Sequence, residues 1–279
     1  MDTCGHAGYP RDMTSTRTRP LALVTGASSG IGLELAEQLV AHGYDLLVNA
    51  EDNRLHRAAA ALDAGSDARI TPVRADLRSA TGVSDLYDAV RADGRPLQAA
   101  ALNAGVGRGG AFLDIDIDHE IEIIEVNISS TVRLAKLVLT DMVARDEGRL
   151  LVTSSIASTM PGTYQAVYNA SKSFLQSFTE AVAEELRDSA VTVTSLMPGP
   201  TETDFFHRAD MDDTAVGASD KDDPAQVAAQ GVRAMESGDG KVVAGSVSTK
   251  ATGAANAVLP DTVKAVIHKF MARPGSAKS

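Results

Sequence analysis

The 279-residue chain has one cysteine, Cys4, and no tryptophan. A lone thiol excludes both a disulfide framework and a cysteine-built metal site, and no metal is expected. Positive charge is scarce, with 26 Lys and Arg against 37 Asp and Glu and a formal net charge of −11. Binding to nucleic acid, which depends on neutralising phosphates, is thereby disfavoured. No apolar run approaches the roughly 20 residues that a membrane span needs. The N-terminus also lacks the apolar core of a secretory signal. These absences predict a cytoplasmic protein with neither nucleic-acid nor membrane partners.

What is present is a repeating alternation. Apolar residues make up 44% of the chain, enough for a sizeable core. Residues 1–19 are polar, rich in Thr and Arg and without periodicity, and read as a disordered extension; Met13 is a second candidate for the translation start. From Leu21, short apolar runs alternate with stretches of helical spacing. LALVTG, YDLLVNA, ARITPVRADL, LQAAALNAG, GRLLVTSS and VTVTSLMPG read as six strands, and KVVAG as a short seventh. Helices are expected over 31–43 and 53–62, at VSDLYDAV, from about Asp114 to Arg145, through VYNASKSF to about Arg187, and over 224–236. Buried strands alternating with helices predict a three-layer α/β/α fold, a doubly wound parallel sheet of Rossmann type, in a single domain over 20–279. Residues 201–223 are acidic and lack a continuous apolar face, so they read as a substrate lobe, weakly held, that closes as a lid. An amphipathic helix is expected near 261–272.

TGASSGIG, residues 25–32, falls between the first strand and the first helix. Gly26, Gly30 and Gly32 leave out the Cβ atoms that block close backbone approach. The helix starting near Ile31 aims its free N–H groups at the turn. A pyrophosphate site is the reading, with an ordinary glycine-rich turn as the bland alternative. Further on, VYNASKSF sets Tyr168 and Lys172 one helical turn apart, on one face. A free phenol titrates near 10, and a cation held beside it favours the phenolate. Such a pair can act as an acid/base, but alone it is weak evidence.

Thr25 to Gly32, Asn103-Ala104-Gly105, Ser155, Tyr168-x-x-x-Lys172 and Pro198-Gly199 come in an order that resembles the single-domain short-chain dehydrogenase/reductase (SDR) superfamily, over about residues 20–245. The resemblance implies an NAD(P)-dependent oxidoreductase interconverting a secondary alcohol and a ketone. It implies Tyr168 as general acid/base, with Lys172 lowering its pKa and bonding the nicotinamide ribose. Ser155, 13 residues before the tyrosine, would hold the substrate oxygen, and Asn127 a water linking Lys172 to solvent. Ser154 is the rival serine, and strand alternation sends the two to opposite sides. Asn127 can instead bond to backbone where the long helix bends. The cofactor contacts implied are Thr25, Gly26, Ser28, Ser29, Gly30, Ile31 and Gly32 at the phosphates, and Asn103, Ala104 and Gly105 beside the adenine ribose. Asp76 and Leu77 would meet the adenine ring, Tyr168 and Lys172 the nicotinamide ribose. Pro198 and Gly199 lead to Thr203 at the carboxamide, with Thr201 as a second candidate.

Ala50, Glu51 and Asp52 follow the second strand, where the adenosine ribose lies. A 2′-phosphate wants Arg or Lys there and a free hydroxyl wants a carboxylate. Two carboxylates, no nearby cation, and Ser28 and Ser29 in place of a basic residue favour NAD; NADP remains open through Arg54 or Arg57. The same carboxylates can instead complement a helix dipole. A homodimer through the long helix and the catalytic helix is expected, with a homotetramer as the alternative. Met160, Tyr164, Phe205 and Phe206 are expected to line a pocket for a mid-sized, largely apolar small-molecule ketone or alcohol. Two functions compete. A dinucleotide sensor without turnover would not need both Tyr168 and Lys172, and a 3-oxoacyl-acyl-carrier-protein reductase would need a basic docking patch that EAVAEELRD (180–188) does not offer.

Overall fold

Successive side chains of a strand point to opposite faces, and that alternation builds two cores here. Leu21 and Leu23 of the first strand face one layer of helices, and Ala22 and Val24 face the other. The computed structural model describes residues 19–256 and 258–278. Its strands are β1 (Leu21–Thr25), β2 (Asp45–Ala50), β3 (Ile70–Arg74), β4 (Leu97–Leu102), β5 (Gly148–Thr153), β6 (Val191–Pro198) and β7 (Lys241–Ala244). The helices are α1 (Gly30–Ala41), α2 (Arg54–Ala64), α3 (Ala80–Ala92), α4 (Ile117–Ile123), α5 (Ser130–Arg145) and α6 (Ala166–Glu185). After them come α7 (Phe205–Arg208), α8 (Ala215–Ala218), α9 (Pro224–Ser237), α10 (Val247–Asn256) and α11 (Asp261–Ala272).

All seven strands run parallel in one sheet, in the order β3-β2-β1-β4-β5-β6-β7. Leu35, Leu39, Leu55, Val227 and Val232 cover one face from α1, α2 and α9. Leu86, Leu134, Val138 and Leu175 cover the other from α3, α5 and α6. The doubly wound three-layer expectation is met. β4 carries Ala99, Ala100 and Ala101 at the centre, so helices approach closely on both sides. Pro72 is tolerated because β3 is an edge, where a missing N–H breaks no ladder. The chain lays down β1 to β3 in one direction, then returns to start β4 on the other side of β1. That reversal opens a crevice at the carboxyl ends of β1 and β4.

Several boundaries differ from expectation. The long helix starts at Ile117, where the Asp116 carboxylate accepts the N–H of Asp118 at 2.9 Å, and it contains a π-helical stretch, Ile124–Ser129. Asn127 sits in that stretch, fully buried. β5 stops at Thr153, so Ser154 and Ser155 lie beyond it, leading into a 3-10 turn over Ile156–Thr159. α10 was not anticipated; VSTKATGAAN has no apolar period. The extension assigned to 1–19 falls mostly outside the described residues, as does Met13. Arg19, however, is tied to the fold: its guanidinium donates to Val40 O at 2.8 Å. No described helix is long and apolar enough to cross a membrane.

The 201–223 lobe has buried anchors. Ala209 and Met211 are fully buried and Phe206 nearly so, in a small third core shared with Ala272 of α11. Gly109 N donates to Ala209 O at 2.8 Å, and Met211 packs so closely on Gly109 that a Cβ there would lie 2.5 Å from its Cγ. The apolar residues are present but irregularly spaced, so no periodic face announced them.

Candidate active site

The crevice is a cavity of about 470 Å³, lined at one end by the glycine turn after β1 and at the other by α6, the 201–223 lobe and α11. Gly26 and Gly30 adopt φ of +68° and +57°. A Cβ on Gly32 would sit 2.1 Å from Gly26 O, and one on Gly30 would sit 2.9 Å from Thr203 Cγ2. The turn is therefore closed on itself and admits no side chain. α1 begins at Gly30 with no side-chain cap and no acidic residue in its first turn, which leaves its N–H groups and positive dipole end facing the cavity.

A line of hydrogen bonds runs from this turn to the far end. Thr25 Oγ1 accepts the N–H groups of Asn103 and Ala104 at 2.9 and 3.0 Å. Thr153 Oγ1 donates to Asn103 Oδ1 at 3.1 Å, and Lys172 Nζ donates to Thr153 O at 2.9 Å. The Lys172 ammonium then lies 5.8 Å from the centre of the Tyr168 ring. Burial lowers the Lys172 pKa to about 8, so the amine stays charged at neutral pH. Burial likewise pushes the Tyr168 phenol up to about 12, with the neighbouring Ser155 hydroxyl pulling the other way. The expectation that Lys172 depresses Tyr168 is not met here. Desolvation is the largest influence on the phenol, and the Lys172 amine is aimed at the Thr153 carbonyl.

The two serines, both beyond the end of β5, take different partners. Ser154 is buried and donates to Lys172 O at 2.9 Å, while Ser155 Oγ accepts the N–H of Ala157 at 3.1 Å on the side of Tyr168. Gly26, Ser28, Ser29, Gly30, Ile31, Gly32, Ala50, Glu51, Asp76, Leu77, Asn103, Ala104 and Gly105 all line the cavity. So do Ser155, Met160, Tyr168, Lys172, Pro198, Gly199, Thr201, Thr203, Phe205 and Phe206.

Three predicted residues are not on its wall. Thr25 is buried behind the turn, where its hydroxyl fixes the end of β4. Tyr164 packs instead against the small third core, at φ +68°, with its carbonyl accepting Gly110 N at 2.9 Å. Asn127 lies behind Gly105, where its carboxamide bonds Val106 N, Val106 O and Ser171 Oγ at 2.8, 3.0 and 2.9 Å. Its Oδ1 and Lys172 Nζ are nonetheless neighbours, both within 3.3 Å of where a Gly105 Cβ would be.

The ribose end corrects the charge picture. Glu51 pairs with Arg78 at 2.9 Å, and Arg78 also holds Asp76 and Glu122. Arg54 bonds both oxygens of Asp52 and reaches Asp204 at 3.0 Å. Hydrogen bonds from these guanidinium groups keep the Asp52 and Asp76 carboxyls below the usual carboxylate range. Cations are thus already at the two carboxylates, and Arg78 had been overlooked because it lies beyond the third strand. Also missed were Gln165 and the inner face of α11, with Lys264, Ile267, His268 and Met271 on the wall. The spacing of Lys264, His268 and Met271, one and two helical turns apart, was a signal available in the sequence.

The family model for short chain dehydrogenases matches residues 20–214. The chain belongs to the short-chain dehydrogenase/reductase family. The 3-oxoacyl-[acyl-carrier-protein] reductase FabG of Salmonella typhimurium is 33% identical over 198 residues, covering 71% of this chain and 79% of the relative. The oxidoreductase UcpA of the same organism is 31% identical over 222 residues, 78% of this chain and 81% of the relative. Among solved structures, a short-chain dehydrogenase from Sphingobium yanoikuyae in complex with NADPH aligns with a TM-score of 0.74 and 26% identity, covering 81% of this chain and 87% of that one. An SDR from Burkholderia phymatum in complex with NAD shares the fold, with a TM-score of 0.74 at 24% identity over 81% and 88% of the chains.

The closed glycine turn generates a prediction. Gly32→Ala forces its Cβ against Gly26 O, a clash that costs about 1–3 kcal/mol to relieve. Fluorescence titration with NADH and NADPH is expected to show affinity lowered by about tenfold or more, with the far-ultraviolet circular dichroism unchanged.

Proposed function

We propose that this SDR-family oxidoreductase uses a nicotinamide dinucleotide to interconvert a secondary alcohol and a ketone. The observation that carries the reading is one cavity with a side-chain-free glycine turn at one end and Ser155, Tyr168 and Lys172 at the other. The donor set fits the cofactor: backbone N–H groups of the turn and α1 for the phosphates, Asp76 and Leu77 for the adenine, and Lys172 for a ribose hydroxyl. Bound there, the reduced cofactor supplies the hydride.

The protein's own residues handle the proton. Ser155 holds the carbonyl oxygen. Tyr168, protonated at neutral pH, donates its phenolic proton to that oxygen during reduction. The Lys172 ammonium stabilises the phenolate left behind, in a recess where water does so poorly. Asn127 ties the Gly105–Val106 turn to α6 through Ser171 and so fixes the lysine's surroundings. In the oxidising direction the same tyrosine takes the proton back. Identity to FabG favours a second reading, reduction of a 3-oxoacyl thioester; acetoacetyl thioester turnover tests it.

Tyr168→Phe removes the proton donor and little else. Ketone reduction is expected to fall by about 10²–10⁴-fold while cofactor affinity stays within about twofold. A variant that keeps more than a tenth of the wild-type rate would remove Tyr168 from this role.

NAD is the proposed cofactor, because Glu51 and Asp52 border the ribose end and Arg54 and Arg78 are engaged by carboxylates. Calorimetry is expected to give tighter NADH than NADPH binding. The reverse order would mean that Arg54 or Arg78 leaves its carboxylates for the 2′-phosphate.

The assembly proposed is a homodimer through the α4–α5 and α6 helices, which expose Ile117, Ile121, Leu137 and Phe174 to more than a third of their area. Phe174→Glu is expected to yield monomers in sedimentation velocity. An unchanged sedimentation coefficient would move the interface elsewhere.

A further inference from the structure

Gln165 is the N-cap residue of α6, three positions before Tyr168, yet its side chain makes no cap. Helix N-termini favour Ser, Thr, Asp or Asn, whose short side chains reach the first turn's N–H groups. The fold therefore has no use for a glutamine here. The residue is only 6% exposed, lies on the cavity wall, and its carboxamide makes no hydrogen bond to any described residue. Its main chain is fully engaged, with the N–H donating to Gly162 O and the carbonyl accepting Asn169 N, both at 2.9 Å. Its amide therefore has free donors and a free acceptor to offer a ligand that enters the cavity.

We propose that Gln165 binds a second, uncharged oxygen of the substrate, a hydroxyl or carbonyl close to the carbon that Tyr168 serves. The inference rests on the alcohol/ketone reading and names the substrate class within it. A neutral oxygen suits a carboxamide, which offers both donor and acceptor. A carboxylate would call for a cation; Lys264 on α11 is committed to Thr159 O at 2.8 Å and to Asp261 at 2.7 Å, and Arg208, the other cation on this wall, is exposed to solvent. His268 lies on the same wall with Nδ1 against Thr163 O at 2.9 Å, and burial lowers its pKa, so it too brings no charge. The remaining wall at this end is apolar at Met160, Phe205, Phe206, Val216, Ile267 and Met271, with Thr252, Asn256 and the exposed, oppositely charged Arg208 and Asp220 among them. The matching substrate is an apolar body with two neighbouring oxygens, of which one is reduced and the other is read by Gln165.

The test compares 2-heptanone, 3-hydroxy-2-heptanone and 2,4-heptanedione with the full chain and each reduced cofactor. It measures kcat/KM and, from the fluorescence of the bound cofactor, the affinity for each ketone. The wild type is expected to favour the two dioxygenated compounds by at least about tenfold in both measures, since only they carry a second oxygen that can bond the Gln165 amide. Gln165→Leu is expected to bring that ratio to within about threefold of parity. Gln165→Asn, which keeps a shorter amide, is expected to fall between and guards against a folding defect in the leucine variant. A ratio that is the same in all three proteins overturns the inference while leaving the oxidoreductase reading intact. Absence of both turnover and binding for all three ketones in the wild type overturns that reading and this inference with it.

Discussion

The site depends on a single threonine hydroxyl at the seam of the sheet. Thr25 Oγ1 accepts two backbone N–H groups from the start of the turn after β4, and so fixes where the strands part. Asn103, held there, bonds Thr153 at the end of β5, and Thr153 O receives Lys172. The glycine turn at one end of the cavity and the ammonium at the other are thereby set in one frame, although they are far apart in sequence. Each bond contributes modestly alone, about 0.5–1.5 kcal/mol net. Their value lies in leaving no buried partner unsatisfied, so the frame has one arrangement.

Burial shifts both members of the Tyr168–Lys172 pair, the phenol up to about 12 and the amine down to about 8, and the resting pair remains neutral tyrosine beside charged lysine. Exposed versions of the same groups would interact weakly across water. At the ribose end the balance is different, because Arg54 and Arg78 are partly exposed and paired. Those contacts contribute little to stability.

The fold and the near half of the site were legible because their signals are local. Apolar runs ending in glycine gave the strands, and the turn from Thr25 to Gly32 stands between a strand and a helix as a phosphate site requires. Ser155, Tyr168 and Lys172 were legible through their spacing. Thr25 and Tyr164 were misjudged for a different reason: proximity in sequence to a site does not say which way a side chain points. Thr25 turns back to the β4 end and Tyr164 into the third core. Glu51 was read without Arg78 because their pairing joins segments on neighbouring strands. α10 went unseen because small polar residues carry no period, and Gln165 because an unmade hydrogen bond has no sequence signature.

The position of α11 has a consequence for the order in which the molecule forms. Everything that frames the glycine turn through Asn103 is made in the first part of the chain, whereas the outer wall of the cavity comes from residues 264–271. Thr163 Oγ1 donates to Ala265 O at 3.0 Å, and Asn256 Nδ2 to Thr159 Oγ1 at 2.9 Å, so the 159–163 loop gains these partners only at the end. During synthesis the glycine-turn half of the cavity is laid down first, while the far half stays open until α11 has cleared the ribosome. Premature termination before residue 261 would therefore leave a protein with its sheet complete and its cavity missing a wall.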